Sequence, residues 1–214
     1  MGHMVEDCLL SRGISYAASE DICGVPKDIA KQSVCIDFTT PDAFRANYKF
    51  LAENFKAVVV GTTGWYDIKD EVIGYFEKCG TPMIYASNFS VGVNIFFAAV
   101  DHVTKLMAST GGYAPYIEEK HHCHKLDRPS GTAKTLADTV FENMGVGPDI
   151  ASVRCGEIPG IHEVGFEGIN DRITLRHEAF SRAGFASGAV DAAVLADGIQ
   201  GVHEFKDIIF KSQI

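Results

Sequence analysis

Ala57-Val58-Val59-Val60 is an unbroken apolar run that ends in Gly61-Thr62-Thr63-Gly64. Such a run fits a strand buried on both faces, as in a parallel sheet with helices above and below it. The flanking sequence agrees. Val34-Cys35-Ile36-Asp37-Phe38 reads as a strand, and Thr40 followed by Pro41 predicts the N-cap and first turn of a helix over Asp42 to Asn54. A helix from Ile68 to Cys79 and a short strand at Met83-Ile84-Tyr85-Ala86 continue the alternation. Ahead of these, Met1 to Arg12 has helical spacing with Gly13 as a stop, and Ile14 to Ala18 reads as a short strand. Strand and helix in alternation predict an α/β, doubly wound domain over residues 1–90. In such sheets ligands bind at the carboxyl ends of the strands, where Thr39-Thr40, Gly61-Thr62-Thr63 and Ser87-Asn88-Phe89 fall.

Beyond Ser90 the pattern changes. Val93 to Met107 predicts an apolar helix, Tyr116 to Lys125 an extended segment, and Thr132 to Met144 a helix stopped by Gly145. Glu163 to Phe166 and Arg172 to Ala179 predict strands, the second with Ile173, Leu175 and His177 on its buried face. This part reads as an α+β domain over residues 91–182. A small-residue helix from Gly184 to Ala196 and a strand at Ile208-Ile209-Phe210 follow.

The net charge of −9 and pI near 5.3 exclude the broad basic face that general nucleic-acid binding needs. No apolar run approaches the roughly 20 residues that span a bilayer, so no membrane partner is expected. Six cysteines without a CxxC pair predict reduced thiols and a cytoplasmic protein.

The chemistry concentrates in Glu118-Glu119-Lys120-His121-His122-Cys123-His124-Lys125-Leu126-Asp127-Arg128-Pro129-Ser130-Gly131-Thr132-Ala133. On an extended chain neighbouring side chains point to opposite faces, so only His122 with His124, or His121 with Cys123, would meet one ion. His162, His177 or His203 would have to complete the set, and the spacing fits no common zinc pattern; no metal is expected. The alternative is proton transfer. A histidine titrates near neutrality, Lys125 adds a charge, and a helix opening at Gly131-Thr132-Ala133 presents amides to an anion. Together these suit a carboxylate-bearing substrate that needs a proton delivered.

These residues resemble the signature of the 4-hydroxy-tetrahydrodipicolinate (formerly dihydrodipicolinate) reductase family, roughly E-x-H-H-x-x-K-x-D-x-P-S-G-T-A. The similarity continues in Asp37-Phe38-Thr39, Gly61-Thr62-Thr63-Gly64, Asn88-Phe89-Ser90-Val91-Gly92-Val93-Asn94 and Phe185-Ala186-Ser187-Gly188-Ala189. It implies an NADH- or NADPH-dependent reductase of diaminopimelate and lysine biosynthesis, acting on a small dicarboxylate. It implies a Rossmann-like domain over residues 1–90, to which 183–214 return, and a substrate-binding, tetramer-forming domain with a mixed open sheet over 91–182. His121 and Lys125 are then the proton-delivering residues, and His122, Ser130, Gly131 and Thr132 bind substrate. Asp21, Phe38, Thr39, Gly61, Thr62, Thr63, Ala86, Ser87, Asn88 and Phe89 bind the cofactor. No arginine follows Asp21, which favours NADH over NADPH. Arg182 is a candidate for the junction between domains.

Family members open with a strand and a glycine-rich turn, and Met1-Gly2 aligns with the end of that motif. The resemblance therefore implies a truncated form with weak dinucleotide binding. Two other functions compete with the reductase. One is another two-domain amino-acid-pathway dehydrogenase, disfavoured by the HHxxKxDxPSGT run. The other is a cofactor-deficient remnant that only oligomerises.

Overall fold

The computed structural model describes residues 1–19 and 22–210. The ribose-reading candidate Asp21, with its alternative Glu20, lies outside them. The chain divides into two compact units, Met1–Val91 with the segment from Ala183 onward, and Gly92–Arg182. In chain order the first unit supplies α1 (Gly2–Ser11), α2 (Lys27–Ala30), β1 (Val34–Asp37), α3 (Pro41–Asn54), β2 (Ala57–Val60), α4 (Lys69–Cys79) and β3 (Met83–Tyr85). The second unit supplies α5 (Val91–Thr110), β4 (Ala114–His121), α6 (Gly131–Met144), β5 (Asp149–Arg154), β6 (Gly160–Glu167) and β7 (Arg172–Ala179). The chain then adds α7 (Ala183–Ala196), β8 (Val202–Glu204) and α8 (Phe205–Ile208) to the first unit.

In the first unit β1, β2, β3 and β8 lie in that order, each pair parallel. All of β2 is buried, because each face of the sheet has its own cover. Val58 and Val60 pack with Phe44, Tyr48, Trp65 and Phe76 on the α3 and α4 side. Ala57 and Val59 pack with Ala189, Ala192 and Ala196 of α7 on the other. Thr40 caps α3 by accepting a hydrogen bond from the Ala43 amide at 3.3 Å, and Pro41 opens the helix. Val5 and Leu9 of α1 pack on Ala186 and Val190 of α7, and Arg12 binds Asp191 and Ser187 at 2.5 and 2.6 Å.

Two expected strands are absent. Ile14 to Ala18 is irregular, since no strand lies beside it to pair its backbone groups. The last strand is Val202–Glu204 rather than Ile208-Ile209-Phe210, because Phe205 and Ile208 lie on the short helix α8 that packs beside Phe89.

The second unit is a mixed sheet of order β5-β4-β6-β7, with β4 parallel to β5 and antiparallel to β6. The two-residue period of a strand puts Ile117, Val164, Phe166 and Leu175 on one face, where Phe96, Val100 and Met107 of α5 and Leu136 and Val140 of α6 cover them. The 20-residue α5 is long and apolar enough to cross a membrane, contrary to the sequence reading; its apolar stripe lies on this sheet. The strand β5 is an element the sequence reading misses, because Asp149 to Arg154 alternates between exposed and half-buried positions without a strong apolar face.

Gly188 sets the closest approach in the first unit. A Cβ there would lie 1.7 Å from the Phe89 carbonyl oxygen and 2.8 Å from its carbon, so α7 could not press on the segment after β3. Gly188→Ala is expected to destabilise the protein by about 1–3 kcal/mol or more, as overpacking against backbone does. Urea denaturation against the parent chain checks this.

Candidate functional site

The covered face of the second sheet changes character at one end. Continuing inward from Ile117, the alternation of β4 brings Glu119 and then His121 to the same face. Glu119 stands between Ser152 of β5 and His162 of β6, while His121 pairs in register with Arg154. His162 stands in turn beside His177 of β7. The apolar floor thus gives way to a row of carboxylate, imidazoles and guanidinium, all close to the start of α6.

Glu119 is completely buried and His121 is 7% exposed. Nδ1 of His121 is hydrogen-bonded to Oε2 of Glu119. Oε1 of Glu119 lies 2.7 Å from Nη2 of Arg154, an ion pair off the line of a hydrogen bond. Burial works to raise the Glu119 carboxyl, but Arg154, Ser152 and His121 outweigh it and hold it below its usual value. For His121, burial dominates and lowers the imidazole; Glu119 opposes this, while Lys125 and Arg154 add to it.

His162 packs edge-on to His121, with ring centres 5.0 Å apart. Its Nε2 is 3.1 Å from Oγ of Ser130, and the same Oγ accepts a hydrogen bond from the Ala133 amide at 3.2 Å. Ser130 is therefore the N-cap of α6. With Ala133 bound to the cap side chain and Lys134 to the cap carbonyl, the amides of Gly131 and Thr132 have no acceptor within the helix. Gly131 is exposed, and a Cβ built on it would meet nothing within 4 Å. The helix thus opens towards solvent with two amides available to an anion.

The chain is extended only as far as His121. His122 to Lys125 form a turn, with the Lys125 amide donating to the His122 carbonyl at 3.2 Å. This overturns the expected strand through Lys125 and the facing argument built on it. In the turn, neighbouring Cys123 and His124 bring Sγ and Nε2 to 3.5 Å, and Glu157 lies 3.3 Å from the same nitrogen. Two groups among the described residues gather three potential metal ligands: the exposed Cys123, His124 and Glu157, and the buried Glu119, His121 and His162. In the buried group the donors already engage Arg154 and Ser130.

His122 is half-buried, and its ring lies 6.0 Å from that of His124. With His124, Glu157, Pro159, Ser181 and Arg182 it lines a shallow depression of about 330 Å³. Lys125 is paired through Nζ with Asp127 at 2.8 Å.

In the first unit, the segments at the carboxyl ends of β1, β2 and β3 meet. A Cβ on Gly61 would lie 2.1 Å from the Phe38 ring, so only glycine lets that ring cross the end of β2. Phe38 in turn meets Phe89 edge-on at 6.2 Å. Asp37 accepts hydrogen bonds from the Thr39 amide at 2.9 Å and the Thr62 hydroxyl at 3.3 Å, which ties the first two segments together. Thr39, Thr63 and Ser87 are exposed at this end, while Thr62, Ala86 and Phe89 are buried. Asn88 accepts a hydrogen bond from the Ser90 amide at 2.9 Å.

A parallel sheet with helices on both faces, followed by a mixed sheet that carries a buried acid–base cluster, defines a two-unit α/β protein. Family models for the dihydrodipicolinate reductase N-terminus and C-terminus match residues 5–89 and 92–209. The chain belongs to the dihydrodipicolinate reductase family. It is 36% identical to the 4-hydroxy-tetrahydrodipicolinate reductase of Christiangramia forsetii over 98% of this chain and 93% of that protein. It is 40% identical to the enzyme of that name from Chromohalobacter salexigens over 82% of this chain and 72% of that one. Among solved structures, the dipicolinate-bound dihydrodipicolinate reductase from Paenisporosarcina sp. TG-14 shares the fold, with a TM-score of 0.71 at 24% identity over 94% of this chain and 84% of that one.

The sequence reading missed Glu119 as a functional partner, along with Arg154 and Ser152, and named His162 only as a possible metal ligand. Glu119 and His121 share a face by simple alternation, but Arg154 and His162 arrive from strands whose register no local pattern reveals.

Burial lowers the His162 imidazole from its usual 6.5 to about 4. Between those values the unfolded chain binds a proton at His162 that the folded one does not, so this residue makes stability fall as pH drops from about 6.5 to about 4, and its own effect is complete below that. Denaturation midpoints across this range should show that decline, and His162→Gln should reduce it.

Proposed function

We propose that this chain reduces 4-hydroxy-tetrahydrodipicolinate to tetrahydrodipicolinate, taking up one hydride and one proton as the 4-hydroxyl leaves as water. The observation that carries the reading is the placing of His121 on the same sheet end as the open N-terminus of α6, with both in the second unit. A substrate carboxylate on the Gly131 and Thr132 amides gains hydrogen bonds and the helix dipole together. Ser130 supports that site as its cap rather than with a spare hydroxyl. His122 and Arg182 line a depression of the same unit and suit the second carboxylate. As the ring accepts hydride, negative charge builds on it. His121 delivers the proton, and the Lys125 ammonium stabilises the charge and assists.

The carboxyl ends of β1, β2 and β3 suit a nicotinamide dinucleotide. Thr39, Thr63 and Ser87 are exposed there, and the Asp37 carboxylate is turned inward onto Thr39 and Thr62. Phe38, Thr39, Gly61, Thr62, Thr63 and residues Ala86 to Phe89 would hold it. The reduced nicotinamide supplies the hydride when bound. The absence of an arginine after Asp21 supports NADH over NADPH as the donor. The motif resemblance supports a homotetramer, and six cysteines without a CxxC pair a cytoplasmic setting.

In a coupled assay with freshly generated substrate and each dinucleotide, turnover with NADH above that with NADPH is expected. His121→Gln and Lys125→Ala should each lower kcat by roughly 10²-fold or more. Absence of turnover with either donor, or near-parental rates in both variants, would remove the assignment.

A further inference from the structure

The two ring nitrogens of His121 have different surroundings. Nδ1 faces the Glu119 carboxylate. Nε2 and Cδ2 lie 3.2 and 3.5 Å from where a Cβ on Gly160 would be, so the glycine lets that edge of the ring pack against β6. Behind Glu119 stands Arg154, whose side chain is 1% exposed and whose Nη2 also donates to the Asp127 carbonyl at 2.5 Å. His162 also stands beside Glu119 in register, but its Nε2 is engaged by Ser130, which leaves Glu119 to His121.

We propose that Arg154 and Glu119 are positioning residues for proton delivery: Arg154 keeps Glu119 an anion, Glu119 holds the Nδ1 proton of His121, and the transferable proton is confined to Nε2. This rests on His121 being the proton donor and adds the delivering nitrogen and the residues that select it. The physical case is the cost of the alternatives. Protonating Glu119 would leave a buried guanidinium without its counter-charge, which is strongly unfavourable. An ionised Glu119 accepts hydrogen bonds only, so the neutral imidazole must present Nδ1–H to it and an empty Nε2 to the site. Nε2 then both receives the proton from solvent and passes it to the reduced ring, while the Nδ1 proton stays in place. The other charged or titratable groups acting on the ring are Lys125 and Arg154, with His162 against it and His177 behind His162.

The test combines nitrogen NMR of the histidines with kinetics. In the parent protein at a pH where His121 is neutral, its proton is expected on Nδ1; a proton on Nε2 would overturn the proposal, and this needs no variant. In Glu119→Gln that preference should weaken, and His121 should titrate at lower pH because a raising anion is gone. Its kcat should fall roughly 10²-fold with KM within about threefold, and Arg154→Lys should recover more of kcat than Arg154→Met. An unchanged tautomer and titration in Glu119→Gln, or parental kcat in that variant, would overturn the assignment. Parental kcat in His121→Gln would instead remove the proton-donor reading, while the NMR result would still decide which nitrogen Glu119 holds.

Discussion

Removing a carboxylate from water carries a penalty of roughly several kcal/mol unless cations and donors meet it in good geometry. Glu119, wholly buried in the middle of the second sheet, puts that demand on everything around it. It is met by Arg154 from one neighbouring strand and His121 from its own, and the guanidinium reaches on to the loop at Asp127. The end of the sheet is therefore fixed by charge, and its other end by apolar contact with α5 and α6. One face of four strands holds both a hydrophobic core and an acid–base cluster, with the boundary falling between Ile117 and Glu119 on β4.

The first unit answers a different constraint. There the limiting quantity is clearance. Gly61 admits the Phe38 ring, and Gly188 admits the Phe89 carbonyl. These two glycines let three segments and a helix converge at the carboxyl ends of the parallel strands. Bulk is excluded from the backbone so that aromatic rings can occupy the space. The Asp37 carboxylate then ties the first two segments with hydrogen bonds to Thr39 and Thr62.

How much of this was legible in the sequence follows from how local each signal is. The apolar run at Ala57 to Val60 announced a strand covered on both sides, and Thr40-Pro41 announced the start of α3, because each signal is complete within a few residues. The strand at Ile14 to Ala18 failed because a strand exists only with a partner, which composition does not reveal. The run from Tyr116 to Lys125 was read as extended throughout, although it turns after His121; the polar residues of a turn and of an exposed strand look alike. Within the site, the motif pointed to His121, Lys125 and the start of α6. It was silent on Arg154 and His162, which lie far along the chain and are brought in by the pairing of β5 and β6 with β4.

The parallel pairing of β4 with β5 requires the chain to leave the sheet at His121, cross through α6 and return at Asp149. The loop between His121 and Ser130 is consequently clamped at both ends: the Glu119 network holds one, and the hydroxyl that caps α6 and meets His162 holds the other. Exposed positions inside it, such as Cys123, His124, Leu126 and Arg128, can drift in evolution or be redesigned without moving either anchor. On the proposed function, the loop can be retuned for a different dicarboxylate while Glu119 and His121, held from the strand, stay in place.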